Sequence, residues 1–171
     1  MTVKHATIYN NRTGTAGGGG IFLRDAASRL TLRNSILVGN QSTNGANFRQ
    51  ESGVVDSGTS YNLVGMSGVS GWSASAGMGT GSFTPTGGID QVIIPTLAQQ
   101  TGDKTGYFNL SVNLGNGSVA FNKVPMASCS SEDQRGYVRQ YQGIFVNCDI
   151  GAIETVKTDT DGDGIIDALD N

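Results

Sequence analysis

The densest chemistry in the sequence lies near the C-terminus, where five aspartates fall within twelve residues: Asp159, Asp161, Asp163, Asp167 and Asp170. They occupy positions 1, 3, 5, 9 and 12 of the segment, and a glycine stands at position 6, where a sharp turn is needed. Calcium binds about 6–8 oxygen ligands in flexible geometry, and aspartates alternating on a turning backbone can direct their carboxylates at one ion. The pattern therefore predicts a Ca²⁺ site formed by Asp159, Asp161, Asp163, Ile165 (through its main-chain carbonyl), Asp167 and Asp170.

This spacing is that of an EF-hand loop, but no helix-forming sequence flanks it. Together with the closing Asp170-Asn171, the segment resembles a thrombospondin type 3 repeat. The resemblance implies calcium binding, usually in arrays of several repeats, so we expect further repeats beyond Asn171. The alternative is an acidic linker that binds no metal, in which close carboxylates repel one another.

Two cysteines, Cys129 and Cys148, enclose a polar, arginine-containing segment. Neither belongs to a CxxC or Cys/His metal pattern, so two interpretations remain: two free buried thiols, or a disulfide. The surrounding composition is typical of secreted proteins, which favours the disulfide. In the chain-entropy model, closing a loop of this length stabilises the fold by about 3 kcal/mol.

Charged residues lie within and beside this cysteine loop, at Asp133, Arg135, Arg139 and Asp149. The arginine fork matches a carboxylate in two-point contact. We therefore hypothesise that these four side chains form an ion-paired latch across the disulfide. The alternative is that they are separate solvated charges, each contributing little to stability.

The rest of the chain is rich in glycine and small polar residues, with 26 glycines in 171 residues, 37% hydrophobic and 15% charged residues. This composition indicates short strands joined by tight turns and disfavours helices. We predict strand-rich coils over residues 1–66 and a Gly/Ser-rich loop over 67–88. The last coils and a capping segment follow over 89–154, and the acidic loop over 155–171.

Two similar apolar runs, each ending in asparagine, indicate a repeat within the first section, at residues 6–11 and 35–40. The spacing of their final asparagines matches one large solenoid coil, and further strand-like segments lie between them, at 18–23 and 30–34. A coil of this kind buries its apolar face by stacking on neighbouring coils, and stacked asparagines can share hydrogen bonds. An antiparallel sandwich is the alternative on pattern alone.

Five short motifs follow one another along the chain: NSILVGN at 34–40, YNLVG at 61–65, GSVA at 117–120, DQRG at 133–136 with Arg139, and CDIGAIE at 148–154. In this order they resemble the choice-of-anchor Q domain of secreted bacterial proteins. That resemblance covers nearly all of residues 1–154 and implies an all-β fold, the end of a right-handed parallel β-helix. Because an open end of such a fold exposes strand edges that must be covered, we expect the disulfide-stapled segment 129–148 to form a cap. Val119 and Gln140 stand where the family commonly has proline, a departure that concerns local turns. The family has no shared catalytic residues.

Composition also bears on partners and location. The formal charge is −3, with five aspartates in the tail, and no stripe of basic and aromatic residues points to nucleic acid. No apolar run approaches the ~20 residues of a membrane span. The first five residues lack the apolar region of a signal peptide. For a protein of the extracellular space or bacterial cell surface, we expect the export signal to lie upstream of Met1, in a longer protein.

The sequence favours a structural, adhesin-like surface protein that contacts a host or environmental glycan or protein surface. Outside the tail the acids are scattered, and none is paired as acid–base catalysis requires, so we expect no catalytic site in this chain. The rival hypotheses are a polysaccharide-degrading β-helix and a polysaccharide-binding module with aromatic platforms at Trp72, Tyr107, Tyr137 and Tyr141. Exposed strand edges at the N-terminal end could drive end-to-end self-association.

Overall fold

A computed structural model of the chain describes residues 1–14, 17–96, 113–114, 117–139 and 147–155, together with the backbone of 98–99 and 110–111. The chain divides into two compact units, Met1–Ile89 and Asp90–Asn171. The described residues form thirteen strands and two 3₁₀ turns, Ile89–Gln91 and Met126–Ser128, and contain no α-helix. Accordingly, this part of the chain contains no helix with the length and hydropathy of a membrane span.

Nine short strands make up the first unit: β1 (Thr2–Lys4), β2 (Thr7–Tyr9), β3 (Ile21–Leu23), β4 (Arg29–Arg33), β5 (Ile36–Val38), β6 (Phe48–Gln50), β7 (Val54–Val55), β8 (Leu63–Val64) and β9 (Trp72–Ser73). They form three sheets of order β1-β4-β7, β2-β5-β8 and β3-β6-β9, and every neighbouring pair is parallel. The chain therefore passes through the three sheets in the same order three times. We call each passage a circuit. The prediction of an all-β chain with parallel strands is confirmed, and the antiparallel alternative is wrong for this unit.

The two similar apolar runs of the sequence lie side by side in the second sheet. Thr7 pairs with Ile36 and Tyr9 pairs with Val38. In the next circuit, Ile36 pairs in turn with Leu63. The two similar runs predicted as a repeat therefore belong to successive circuits, which pair in register.

The core of the first unit follows from side-chain alternation. In β4, Leu30 and Leu32 are fully buried while Arg29 and Arg33 are exposed, as period-two geometry requires. Burial of each leucine side chain stabilises the fold by about 1.5–3 kcal/mol relative to exposure. All residues of β5 are buried, so this strand has no solvated face.

A corner between the first and second sheets repeats in the same backbone conformation. His5, Asn34 and Tyr61 have φ of 49°, 52° and 52°, and Gly81 follows with φ of 68°. The first three donate their N–H groups to carbonyls of the following circuit, at N···O distances of 3.0, 3.0 and 2.8 Å. At the fourth position only glycine fits, because a Cβ on Gly81 would lie 2.4 Å from Cδ1 of Tyr61.

A ladder of side-chain acceptors runs beside this corner. The N–H of Ala6 donates to Ser35 Oγ (3.1 Å), that of Ser35 to Asn62 Oδ1 (3.0 Å), and that of Asn62 to Ser82 Oγ (2.8 Å). Asn62 is fully buried, and its Nδ2 donates to the carbonyl of Leu32 at 2.9 Å. Each rung thus satisfies a main-chain donor with a side chain of the next circuit, which removes the cost of an unpaired buried N–H. We call this set the corner ladder.

Buried asparagines link the circuits at a second corner. The N–H of Asn11 donates to Asn40 Oδ1 at 2.9 Å, and Asn40 Nδ2 donates to the carbonyl of Ile8 and to Asn47 Oδ1 at 2.8 and 2.9 Å. Asn47 Nδ2 in turn donates to the carbonyl of Ser70 at 2.7 Å. The prediction that asparagines at turns share hydrogen bonds between coils is confirmed for these residues.

The glycines before β3 allow a close approach of two circuits. A Cβ on Gly19 would lie 2.3 Å from the carbonyl oxygen of Ala46, and one on Gly20 would lie 2.6 Å from that of Asn47. Neither glycine has a positive φ. Glycine is required here by the space between backbones.

The segment 67–88, predicted as a long loop, contains regular pairing. It includes β9, and Thr80 and Phe83 form isolated parallel bridges with Ser60 and Leu63. The Trp72 ring stacks on Phe48 with centroids 4.0 Å apart, and its Nε1 donates to the carbonyl of residue 76 at 2.9 Å. Trp72 is thus a packing anchor, which is why a Gly/Ser-rich stretch still pairs with the circuit before it.

The second unit contains two antiparallel pairs. β10 (Ala98–Gln99) pairs with β11 (Leu110–Ser111), and β12 (Val124–Pro125) pairs with β13 (Asn147–Cys148). Residues 119–121, which look like a strand in the sequence, instead form a turn in which Phe121 N–H donates to the carbonyl of Ser118. Ala120 and Phe121 are buried. A buried turn and a buried strand both require apolar side chains, so the sequence pattern alone does not distinguish them.

Candidate functional site

The predicted disulfide is present. Cys129 and Cys148 are bonded, with their Cα atoms 6.1 Å apart, and the chain between them closes a loop with a sequence separation of 19. Cys148 lies in β13 and is fully buried, and Cys129 directly follows the 3₁₀ turn Met126–Ser128. The disulfide therefore joins the end of a turn to a buried strand within the second unit.

Arg139 is a deeply buried cation near the disulfide, with a side chain that is 1% exposed. Its Nη1 lies 3.0 Å from Glu154 Oε2, a carboxylate that is equally buried. Its Nη2 donates to the carbonyls of Gly151 and Ala152, both at 2.8 Å, and its Nε donates to the carbonyl of Glu132 at 3.2 Å. One guanidinium thus binds two separate chain segments at once.

Asp133 and Arg135 form a second ion pair in a tight turn. Arg135 donates from Nε and Nη2 to Asp133 Oδ2, at 2.9 and 2.7 Å, and from Nη2 to the carbonyl of Glu154. Asp133 also accepts main-chain N–H groups from Arg135, Tyr137 and Glu154, at 2.7, 3.1 and 2.9 Å. The Arg135 guanidinium lies over the Tyr137 ring, 4.8 Å from its centroid.

Asp149 lies in the same region, but its carboxylate accepts main-chain N–H groups and forms no ion pair with an arginine in the described part of the chain. Its Oδ1 accepts the N–H of Asn122 at 2.9 Å and its Oδ2 accepts that of Thr155 at 2.8 Å. Glu154 Oε2 accepts the N–H of Asp149 at 3.0 Å. The structure therefore brings together all four residues of the hypothesised latch, but the carboxylate facing Arg139 belongs to Glu154.

Glu154 was not among the residues predicted for this site. The available signal was its position directly after a buried apolar run, because a lone acid buried beside Ile153 requires a cationic partner. We call the set Asp133, Arg135, Arg139, Asp149 and Glu154 the charge cluster. Each of its residues is at most 8% exposed.

The charge cluster holds three carboxylates and two guanidiniums in a poorly solvated environment. Desolvation by burial lowers the pKa of Arg139 from its ordinary value, while the charges of Glu154, Asp133 and Asp149 oppose that shift. Arginine nevertheless stays protonated in proteins, so the pairing with Glu154 is ionic. Because these groups bond to one another and to the main chain, the cluster fixes segments 131–139 and 147–155 against each other.

The predicted calcium ligands Asp159, Asp161, Asp163, Ile165, Asp167 and Asp170 lie outside the described residues, so the Ca²⁺ site stays a prediction. Within the described ranges, no group of three or more His, Cys, Asp or Glu side chains is arranged to hold a metal ion. Two of the scattered acids pair with arginines at the surface: Asp56 with Arg29 at 3.5 Å, and Glu51 with Arg49 at 3.6 Å.

Two of the four aromatic residues considered as sugar platforms are described. Trp72 has one face against Phe48, and Tyr137 has the Arg135 guanidinium over its ring. Tyr107 and Tyr141 lie outside the described residues. His5 occupies the left-handed corner and is within 3.0 Å of Asn34 Nδ2, consistent with a turn residue.

No protein-family model, curated protein or solved structure matches this chain.

Proposed function

We propose that residues 1–154 form a domain of the choice-of-anchor Q type, the end of a right-handed parallel β-helix, and that the chain is a rigid scaffold within an extracellular adhesin. The observation that carries the proposal is the repeated passage of the chain through three parallel sheets with a corner ladder that continues unbroken through Ser82. Parallel crossovers are right-handed in about 98% of cases, which supports the handedness.

The charge cluster and the disulfide support a structural role in an oxidising compartment. Disulfides persist in secreted and surface proteins and are rare in the cytosol. A buried ionic cluster with many internal hydrogen bonds holds one geometry, whereas a catalytic acid or base must reach a substrate.

The acidic tail supplies the calcium component of the proposed function. We assign Ca²⁺ to Asp159, Asp161, Asp163, Ile165, Asp167 and Asp170 on their spacing alone, in the manner of a thrombospondin type 3 repeat. Calcium would neutralise the clustered carboxylates and stiffen the connection from the scaffold to an anchor.

Cell-surface labelling tests the location. Antibodies raised against residues 1–89 should label intact cells of the source organism, and external protease should remove the signal without releasing a cytosolic marker protein. Labelling only after permeabilisation would overturn the extracellular assignment.

A product assay tests the rival enzymatic function. The purified chain is incubated with acidic polysaccharides, and unsaturated or newly reducing ends are measured over time against a boiled control. We expect no product. Turnover that scales with protein concentration would replace the scaffold proposal with that of a polysaccharide lyase or hydrolase.

A further inference from the structure

The outer face of the first sheet carries two exposed cations side by side. Lys4 of β1 and Arg33 of β4 are register partners on neighbouring parallel strands, and both are exposed. Like charges directly opposite each other destabilise a sheet. Their pairing is therefore electrostatically unfavourable for the sheet.

The nearby acids do not neutralise these cations. Asp56, on the same sheet face, pairs with Arg29 and accepts the hydroxyl of Thr31 at 3.2 Å. Within the described residues, no carboxylate lies within ion-pair distance of Lys4 or Arg33. Residues 1–89 contain six lysines and arginines and three aspartates and glutamates, so this unit is formally positive within a chain of net charge −3.

Hydroxyl groups extend the same row across the sheet. Arg33 bridges to Ser60, and Ser60 bridges to Thr80, so the row runs Lys4, Arg33, Ser60, Thr80 through the three circuits and into the segment that follows them. With neighbouring strands about 4.8 Å apart, the row spans about 14 Å. We call it the basic row. The Arg33 Nε donates to the carbonyl of Gly58 at 2.7 Å, which holds the guanidinium along the row.

We propose that the basic row binds an extended polysaccharide bearing carboxylates, such as a polyuronate. Charge complementarity sets the class of ligand, since arginine binds carboxylates in two-point geometry and lysine adds a second positive charge one strand away. The hydroxyls of Ser60 and Thr80 in the same row can hydrogen-bond to the hydroxyl groups of a sugar chain. The inference names a partner for the proposed adhesin and rests on that function for its biological meaning, while the binding itself is measured separately.

The test is binding of galacturonic acid hexamers to the whole chain, by calorimetry in low-salt buffer. The fully methyl-esterified hexamer is the matched ligand control, because it keeps the sugars and removes the charge. Lys4→Gln/Arg33→Gln is expected to weaken binding about tenfold and Lys4→Gln alone about threefold, as expected for exposed charge pairs. The matched control Arg12→Gln removes an exposed arginine that lies outside the first sheet, and should change the affinity less than twofold.

Several results overturn the proposal. These are equal affinity for the methyl ester, an equal loss of affinity in Arg12→Gln, or a single-stranded DNA of similar charge that binds the row more tightly than the hexamer. Thermal unfolding is recorded for each variant, and we expect Lys4→Gln to be at least as stable as the parent because a like-charge pair is removed. Failure of hexamer binding with intact surface labelling refutes the basic row alone, whereas failure of labelling refutes the proposed location.

Discussion

Replacing Arg139 with methionine gives the sharpest test of the charge cluster. The substitution removes a fully buried guanidinium that pairs with Glu154 at 3.0 Å and donates to three carbonyls at 2.8–3.2 Å. Loss of one partner of a buried pair leaves an uncompensated charge, which destabilises a fold by about 3–5 kcal/mol. At about 1.4 kcal/mol per decade, that corresponds to a hundredfold to several-thousandfold increase in the open population.

The matched control is Arg29→Met. Arg29 pairs with Asp56 at 3.5 Å, but its side chain is 66% exposed, so the same chemical change at the surface should cost about 0–1 kcal/mol. The two sites differ in burial and in the main-chain carbonyls that Arg139 also binds.

Amide hydrogen exchange read by mass spectrometry is the appropriate assay, because it resolves the two units. Exchange in residues 131–139 and 147–155 should accelerate in Arg139→Met while residues 30–38 keep their protection. The only tryptophan, Trp72, lies in the first unit, so its fluorescence reports on that unit as an internal control.

A second substitution separates charge from packing. Arg139→Met/Glu154→Leu removes both charges, and replacing a whole buried pair with apolar groups is often close to neutral, so protection should partly return. Exchange that accelerates in Arg139→Met no more than it does around residue 29 in Arg29→Met would show that the charge cluster does not stabilise the second unit. A double variant that loses the sum of the effects of Arg139→Met and Glu154→Leu, each measured alone, would show that the two charges are not coupled.

Three further predictions concern the disulfide, the corner ladder and the tail. Reducing the disulfide, whose cysteines are separated by 19 residues, should destabilise the second unit by about 3 kcal/mol, and unchanged exchange in 147–155 would contradict this. Asn62→Ala should cost about 1–3 kcal/mol, because it leaves the Ser35 N–H unpaired, while the Leu32 carbonyl keeps the N–H of Ser60; thermal unfolding would measure this against Asn44→Ala, at an exposed position, which should be nearly neutral. Calorimetry should give a calcium dissociation constant of about 10⁻⁴–10⁻³ M that is lost in Asp161→Asn, and no heat at millimolar calcium would remove the predicted site.

The local sequence pattern was sufficient to predict strands and their pairing where the fold repeats. The apolar run at 7–9 and its counterpart at 36–38 pair in register, because similar sequences in successive circuits meet the same neighbours. The alternation of leucine and arginine in β4 likewise specifies its inner and outer faces without further information.

The sequence pattern was insufficient to predict which residues contact each other where that depends on tertiary structure. Arg139 and Glu154 are 15 residues apart, and the sequence offered Asp133 and Asp149 as equally suitable carboxylates. Which carboxylate faces the guanidinium is decided by the turn that also directs Arg139 to the carbonyls of Gly151 and Ala152. Residues 119–121 mislead for a related reason, since burial in a turn and in a strand selects the same apolar side chains.

The corner ladder keeps its rungs while the length of chain between them shrinks from 29 to 27 to 20 residues. The hydrogen bonds of the ladder therefore form with different lengths of chain between one rung and the next. That makes the exposed turn around Thr43 and Asn44 a natural place to graft a foreign epitope or affinity tag. A scaffold of this kind lets evolution, or an engineer, exchange surface loops while the interior stays the same.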